Sequence, residues 1–388
     1  MTDGRRPLAE VATVAAKLGV IGFGGPAAHI ALLRTEVVQR RGWITDTEFL
    51  DLLAATSALP GPGSTQMVIA VGRRRAGWAG LVVAGACFIA PATAIVVLLA
   101  WLYVTYGHVP AVGGVLYGIK PVVVAVIVVS LWGLVRAAAR TGPAPVVLAA
   151  AAGGAFLAGV DPLVVLAVGA VALAVFTNRR RLHASGAAAA APVLAVLARS
   201  AAAPVARVRP GARATTVGLW PLVREFAKLG VIVFGSGYVL LAFLQRDLVH
   251  QLHWLGARQL LDAVAAGQVT PGPVFTTATF VGYLVHGVSG ALLATLAIFL
   301  PSFVMVAVLV PVLPRLRRSP WASGAIDGAG AAAVGLMAGV AVPLGRAAVV
   351  SPLTAVLAVV SLVVLARFRV NTAWMVLAGA VVGVLHSL

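Results

Sequence analysis

The sequence predicts an all-α polytopic membrane protein whose two homologous halves form an inverted-topology repeat with Gly/Pro-broken helices. Three observations predict it: long stretches nearly devoid of charge, motifs repeated in register, and arginines that change loops between the halves. Only 10% of the 388 residues are charged and 61% are hydrophobic, against about 25% charged in an ordinary soluble domain. Between Arg75 and Arg136 the only charged side chain is Lys120, and Ala263 to Pro314 contains no Asp, Glu, Lys or Arg. A hydrocarbon core about 30 Å thick is crossed by roughly 20 apolar helical residues, so these stretches hold several spans.

The repeat is read from register. Ala16-Lys17-Leu18-Gly19-Val20 recurs as Ala227-Lys228-Leu229-Gly230-Val231, 211 residues later. The same spacing pairs Glu36 with Asp247, Trp43 with Trp254, Asp51 with Asp262, and Pro60-Gly61-Pro62 with Pro271-Gly272-Pro273. After one deletion it pairs Gly77 with Gly287, Pro91 with Pro301 and Gly118 with Gly328. Shared composition does not produce so many matches in one register. The domains are therefore residues 1–177, a basic Ala/Arg/Pro-rich linker at 178–218, and residues 219–388.

Each half opens with a motif-rich region and continues with plainer helices. The first half predicts spans near 77–102, 110–135, 144–158 and 162–177; the second, near 288–312, 323–345, 352–366 and 371–386. The last two of each half are short for a crossing. Arg73-Arg74-Arg75 corresponds to a loop near Tyr283–His286 without Arg or Lys, whereas the uncharged Tyr103–Gly107 corresponds to Arg315-Leu316-Arg317-Arg318. Leu157–Gly159 is bare and its counterpart carries Arg367 and Arg369; Arg346, matching Arg136, is the exception. Since basic loops stay in the cytoplasm, the halves lie upside down to each other. A cytoplasmic linker then requires an odd number of crossings in the opening region, or an extra crossing at Ala187–Ala206; the sequence leaves both open.

Composition also excludes. The net charge of +18 comes from arginines at span ends, which the positive-inside rule explains without nucleic acid. Cys87 is the only cysteine, so no disulfide, Cys-based zinc site or iron–sulfur cluster is expected. Lysine occurs only at 17, 120 and 228, so no Walker A motif exists, and zinc-protease and nucleophile-elbow motifs are missing too. No enzyme activity, metal or cofactor is expected. The short polar segment Met1–Pro7 shows no cleavage site, so no removable signal peptide is expected.

Two features interrupt each half where a continuous helix is expected. Gly22-Phe23-Gly24-Gly25-Pro26 is echoed by Phe234-Gly235-Ser236-Gly237, and Leu59-Pro60-Gly61-Pro62-Gly63 by Thr270-Pro271-Gly272-Pro273. Proline removes a donor and glycine tolerates open backbone. Within a membrane such breaks survive only where protein or a water-filled cavity satisfies them, and half-helix N-termini seat anions. Paired breaks in two repeats point to a transporter site; a plain kink or tight turn is the alternative. The site residues expected from this pattern are Lys17, Gly24, Gly25, His29, Pro60, Gly61, Pro62, Gln66, Lys228, Gly235, Ser236, Pro271, Gly272 and Pro273.

Lys17 and Lys228 are repeat equivalents just before the glycine breaks, and a lysine deep in a bilayer costs roughly 2.5–3.5 kcal/mol. An oxyanion partner explains them; snorkelling to the interface is the alternative. Asp51 and Asp262 are proton-coupling candidates, or interfacial carboxylates paired with arginine. Glu36 and Asp247 read as structural ion pairs, and Trp43 and Trp254 as interface anchors. Ser57, Ser64, Thr65, Gln268, Thr270, Thr276 and Thr277 lie near the breaks as donors or caps, capping being the default for Ser64 and Thr65.

Phe23-Gly24-Gly25-Pro26-Ala27-Ala28-His29-Ile30, Arg41-Gly42-Trp43-Ile44, and Leu59-Pro60-Gly61-Pro62 with Gln66 and Gly72 closely resemble the chromate transporter (CHR) family, in its long two-domain form. The resemblance covers both halves. It implies a carrier in a bacterial or archaeal cytoplasmic membrane, exporting chromate and conferring resistance. The second half departs from the pattern: Ser236-Gly237 replaces Gly25-Pro26 and Val239 or its neighbours replace His29, so a shared site is asymmetric. Coupling to the proton-motive force is expected. Sulfate or another tetrahedral oxyanion, and an uncoupled anion channel, are the alternatives. Expected partners are that oxyanion, the bilayer and a second copy of the chain in a homodimer.

Overall fold

The computed structural model describes residues 5–23, 25–107, 109–184, 218–234, 239–313, 318–368 and 370–387. Gly24, Gly235, Ser236 and the Ala187–Ala206 stretch fall outside them. No strand occurs among the described residues. Among the described residues fourteen α-helices occur, seven in the same order in each half. In the first, α1 is Arg5–Ile21, α2 Gly25–Arg34 (continued by a π turn, Thr35–Arg40), α3 Asp46–Ser57, α4 Gly63–Tyr106, α5 Pro110–Thr141, α6 Pro143–Leu157 and α7 Pro162–Ala184. In the second, α8 is Leu219–Ile232, α9 Val239–Leu244 (continued by a π turn, Gln245–Gln251), α10 Ala257–Val269, α11 Thr277–Leu309, α12 Pro320–Ala348, α13 Pro352–Phe368 and α14 Thr372–Ser387.

Local chemistry sets these boundaries. Proline opens α5, α6, α7, α12 and α13, at the helix start where its missing N–H is not needed. Thr45 and Glu48 close a capping box on α3. Among the described residues five stretches are long and apolar enough to cross a membrane alone, namely those of α4, α5, α7, α11 and α12, while α6, α13 and α14 are shorter apolar helices. The plain spans fall where the sequence places them, but α4 runs on to Tyr106, α5 to Thr141 and α7 to Ala184, the last into the stretch read as linker.

The opening regions do not cross. Lys17, near the end of α1, pairs with Glu36 beyond α2 at 2.6 Å, so the chain doubles back at the Gly22–Gly25 break. Lys228 and Asp247, 2.7 Å apart, mark the same reversal in the second half. A second re-entrant hairpin follows: α3 runs in, the Pro60-Gly61-Pro62 break turns it, and the first arm of α4 runs back. That arm ends at Gly77, whose φ of +61° and ψ of −147° interrupt α4, and Gly72 packs on the backbone of Gly80 across the turn. Gly287 and the Gly282–Gly290 contact repeat this in α11. Two re-entrant hairpins per half make an even count, which rules out the odd number of crossings in the opening region; the other alternative, a crossing at Ala187–Ala206, falls outside the described residues.

Traced onward, α4 to α7 bring the first half back to its starting end, and the second half starts at the opposite one. Two contacts corroborate the trace. Arg246 of the second half's opening pairs with Asp161 in the turn before α7, and Arg73 donates to the carbonyls of Val306 and Ala307 near the end of α11. Arg73–Arg75, Arg136, Arg140, Arg318 and Arg367 thus share one end, the arginine-rich end. The halves are also exchanged: α6 and α7 pack on α12, and α13 and α14 on α5. Small residues allow this close approach without a hydrophobic drive between helices. Gly114 and Gly118 meet Gly379 and Gly383, and Gly324 and Gly328 meet α7 around Gly169 and Ala174.

Candidate functional site

Each Pro-Gly-Pro turn is bonded to the other half. The Gly61 N–H donates to Val233 O at 2.5 Å and the Gly272 N–H to Gly22 O at 2.9 Å, so each Pro-Gly-Pro turn is held by the glycine break of the other half. Both glycines have positive φ, +112° and +99°. A Cβ on Gly272 would lie 2.8 Å from the Ala92 Cβ, and one on Gly61 would lie 2.9 Å from Ser302 Oγ. Ala92 and Ser302 are repeat equivalents, each just beyond the proline inside its helix. The Pro-Gly-Pro breaks are thus braced by the opposite half, not isolated kinks.

The two Pro-Gly-Pro turns differ in what they leave free. Gln66 N–H donates to Pro62 O at 2.9 Å, while the N–H groups ahead of it lack helical acceptors, and no side chain caps the start of α4. Thr65 and Ser302 are fully buried with hydroxyls that have no partner. Gln66 is also fully buried; its amide nitrogen donates to Pro60 O and its Oε1 is unpartnered. In the second half a 3-10 turn, Val274–Thr276, consumes the equivalent groups. There the Thr276 and Thr277 hydroxyls donate to Pro273 O and Val274 O at 2.8 and 2.9 Å, Phe275 stands where Ser64 does, and Ala92 where Ser302 does.

His29 is a brace. Its Nε2 lies 2.7 Å from Gly22 O and its Nδ1 3.3 Å from Ser64 Oγ, so both ring nitrogens are engaged and the ring stands edge-on to Phe88. Ser64 therefore bonds His29 in place of the expected cap. Lys17 and Lys228 are paired with the carboxylates that the sequence reading assigned to structural ion pairs. Glu36 also takes Arg40 at 2.8 Å, and Lys228 takes Glu225 at 2.5 Å as well as Asp247. Arg34, two residues before Glu36, holds Asp46. Trp43 lies under the guanidiniums of Arg41 and Arg75.

The paired aspartates part company. Asp262 is buried, 2.7 Å from the Lys120 ammonium, and accepts a hydrogen bond from the Tyr103 hydroxyl at 3.0 Å. Asp51 is exposed and pairs with no described residue. Lys120 and Ser302 were both missed as site residues in the sequence. Each stands out only against its repeat equivalent, Gly330 and Ala92: a polar group in one half where the other has a small apolar residue.

Comparison with known proteins now bears on this geometry. The model of one family, described as chromate transporter, matches residues 9–175 and again 220–384. The chain belongs to the chromate transporter family. It is 31% identical over 376 residues to the chromate transport protein of Cupriavidus metallidurans, covering 94% of this chain and 89% of that protein. It is 32% identical to the probable chromate transport protein of Synechococcus elongatus, covering 85% and 82%, and 31% identical to the chromate transport protein of Pseudomonas aeruginosa, covering 85% and 79%. No solved structure matches it. Both family matches coincide with the two halves, so the protein is a multi-pass membrane transporter of this family, in the two-domain form.

Proposed function

We propose that this protein exports chromate from the cytoplasm as a secondary transporter driven by the proton-motive force, and so confers chromate resistance. One observation carries the site: the first-half Pro-Gly-Pro turn presents an uncapped helix start together with the buried, unpartnered hydroxyls of Thr65 and Ser302. Free N–H groups and hydroxyls are the donors a tetrahedral dianion needs. Hydrogen bonds to a charged group stabilise by about 1.5–3 kcal/mol each. The seat is contributed by both halves, since Ser302 belongs to the second. Lys17 and Lys228 brace the re-entrant hairpins around it through their ion pairs.

The arginine-rich end faces the cytoplasm by the positive-inside rule. A membrane potential negative inside then drives a dianion outward by about 4.6 kcal/mol per 100 mV, twice the value for one charge. Chromate accumulation by inside-out vesicles under imposed potential or pH gradient, with and without excess sulfate, tests this reading. Accumulation that an uncoupler abolishes is expected, with Thr65→Val and Ser302→Ala each raising the apparent KM about tenfold or more. No chromate accumulation in the wild type overturns the function; wild-type KM in both variants overturns the seat.

A further inference from the structure

Away from that seat, a cavity of about 840 Å³ opens at the arginine-poor end between α4, α5, α10 and α14. Its wall is almost wholly apolar, including Leu102, Tyr106, Val109 and Trp374, yet it holds Asp262 and reaches Phe23 beside the glycine break. Asp262 pairs there with Lys120, whose side chain is largely buried. One Asp262 oxygen, Oδ2, accepts the Tyr103 hydroxyl. The other, Oδ1, lies 2.7 Å from the ammonium but takes no hydrogen bond of good angle. A second cavity of about 1130 Å³, toward the other end, is lined by Ile326, Asp327 and Gly330, the repeat equivalents of Leu116, Tyr117 and Lys120. It lacks the device: glycine replaces the lysine, Leu313 stands in place of Tyr103, and Asp51 is exposed without a partner.

We propose that Asp262 is the single proton-carrying carboxylate of the transport cycle and Lys120 its built-in counter-ion, an inference that rests on proton coupling as read above. A proton arriving through the cavity binds an Asp262 oxygen, the carboxylate becomes a neutral acid, and the ion pair with Lys120 is lost. An unpaired ammonium among apolar walls is unfavourable, so α10 and α5 shift relative to each other. The residues of α10 run from Asp262 to the Pro271-Gly272-Pro273 turn, whose Gly272 N–H holds Gly22 O. The proton is thereby read at the breaks. Release of the proton restores the pair.

The surroundings leave little else to titrate. From α4, Tyr103 touches Asp262 and Tyr106 lines the same cavity; from α5, Lys120; from α11 and α14, Phe280 and apolar side chains including Trp374. In the π turn after α9, Arg246 is held by Asp161 and Asp247 by Lys228, and His250 is exposed. On α12, Asp327 faces the other cavity.

The test uses purified protein in proteoliposomes loaded with a pH-sensitive dye, recording proton movement and chromate flux together. Asp262→Asn is expected to keep potential-driven chromate flux and lose the linked proton movement, while Asp51→Asn keeps both. Lys120→Ala, which removes the opposite charge, is expected to move the pH profile of coupled flux about one unit or more toward alkaline values. Wild-type protein that moves chromate without protons overturns proton coupling itself and the inference with it. Wild-type coupling that survives in Asp262→Asn, or vanishes in Asp51→Asn, overturns the inference alone. Should Asp262→Asn fail to fold with Lys120 left unpaired, the neutral pair Asp262→Asn with Lys120→Gln serves the same reading, and the Asp51→Asn arm stands regardless.

Discussion

Two lysines in equivalent positions have unequal neighbourhoods, and single substitutions will expose the difference. Removing Lys17 leaves Glu36 still in contact with Arg40 at 2.8 Å and near Arg41 at 3.6 Å. Removing Lys228 leaves Glu225 and Asp247, both buried, with no other described cation. Breaking a buried pair from one side costs about 3–5 kcal/mol, and the low end applies because the Lys228 side chain is 35% exposed. Lys228→Ala should therefore lower the melting temperature in detergent markedly and Lys17→Ala little. Equal loss in both would show that Arg40 does not substitute for Lys17.

At the scale of elements, the start of α3 carries a pH dependence of known sign. The Thr45 backbone N–H, followed by the Arg74 guanidinium, lowers the Glu48 carboxyl to about 2 from its ordinary 4.5. A carboxyl lowered on folding stabilises above its unfolded value, and that contribution fades as pH falls from 4.5 toward 2. Glu48→Gln should thus melt below the wild type at pH 7, with the two curves converging toward pH 2; a gap unchanged at acid pH would exclude this origin. The helix crossings depend on small residues in the same way that the cap depends on polarity. Gly19 packs so closely that a Cβ would lie 2.6 Å from Phe88 O. Gly19→Val should destabilise by about 1–3 kcal/mol, read as a lower melting temperature, and a neutral result would mean that α1 can slide on α4.

For the whole molecule, the trace puts the α4 turn at Ala76–Gly77 and the α11 turn at His286–Gly287 at opposite ends. Single cysteines at Ala76 and His286, in a Cys87→Ser background, should be modified by an impermeant thiol reagent from opposite faces of the membrane. Labelling from the same face would disprove the inverted arrangement. Through the exchange of α6–α7 and α13–α14, most of what covers α5 and α12 comes from the other half. The two halves should accordingly fail to fold when expressed apart and recover when expressed together.

Much of this protein was legible in its sequence because the bilayer restricts what a chain can do. Charge-free runs longer than the hydrocarbon core must be helices, so the plain spans were found, their starts closely and the ends of α4, α5 and α7 several residues short. Repeat register and arginine placement carried the duplication and its inversion, since both are one-dimensional patterns. Only the tertiary structure decided where the broken segments lead. Lys17 and Glu36, or Gly61 and Val233, meet because the chain doubles back or crosses the pseudo-twofold axis, and residue spacing is blind to both. The asymmetry of the site was equally hidden. Ser302 and Lys120 matter by what faces them across the halves, Gly61 and Asp262, and burial without a partner exists only once the chain has packed.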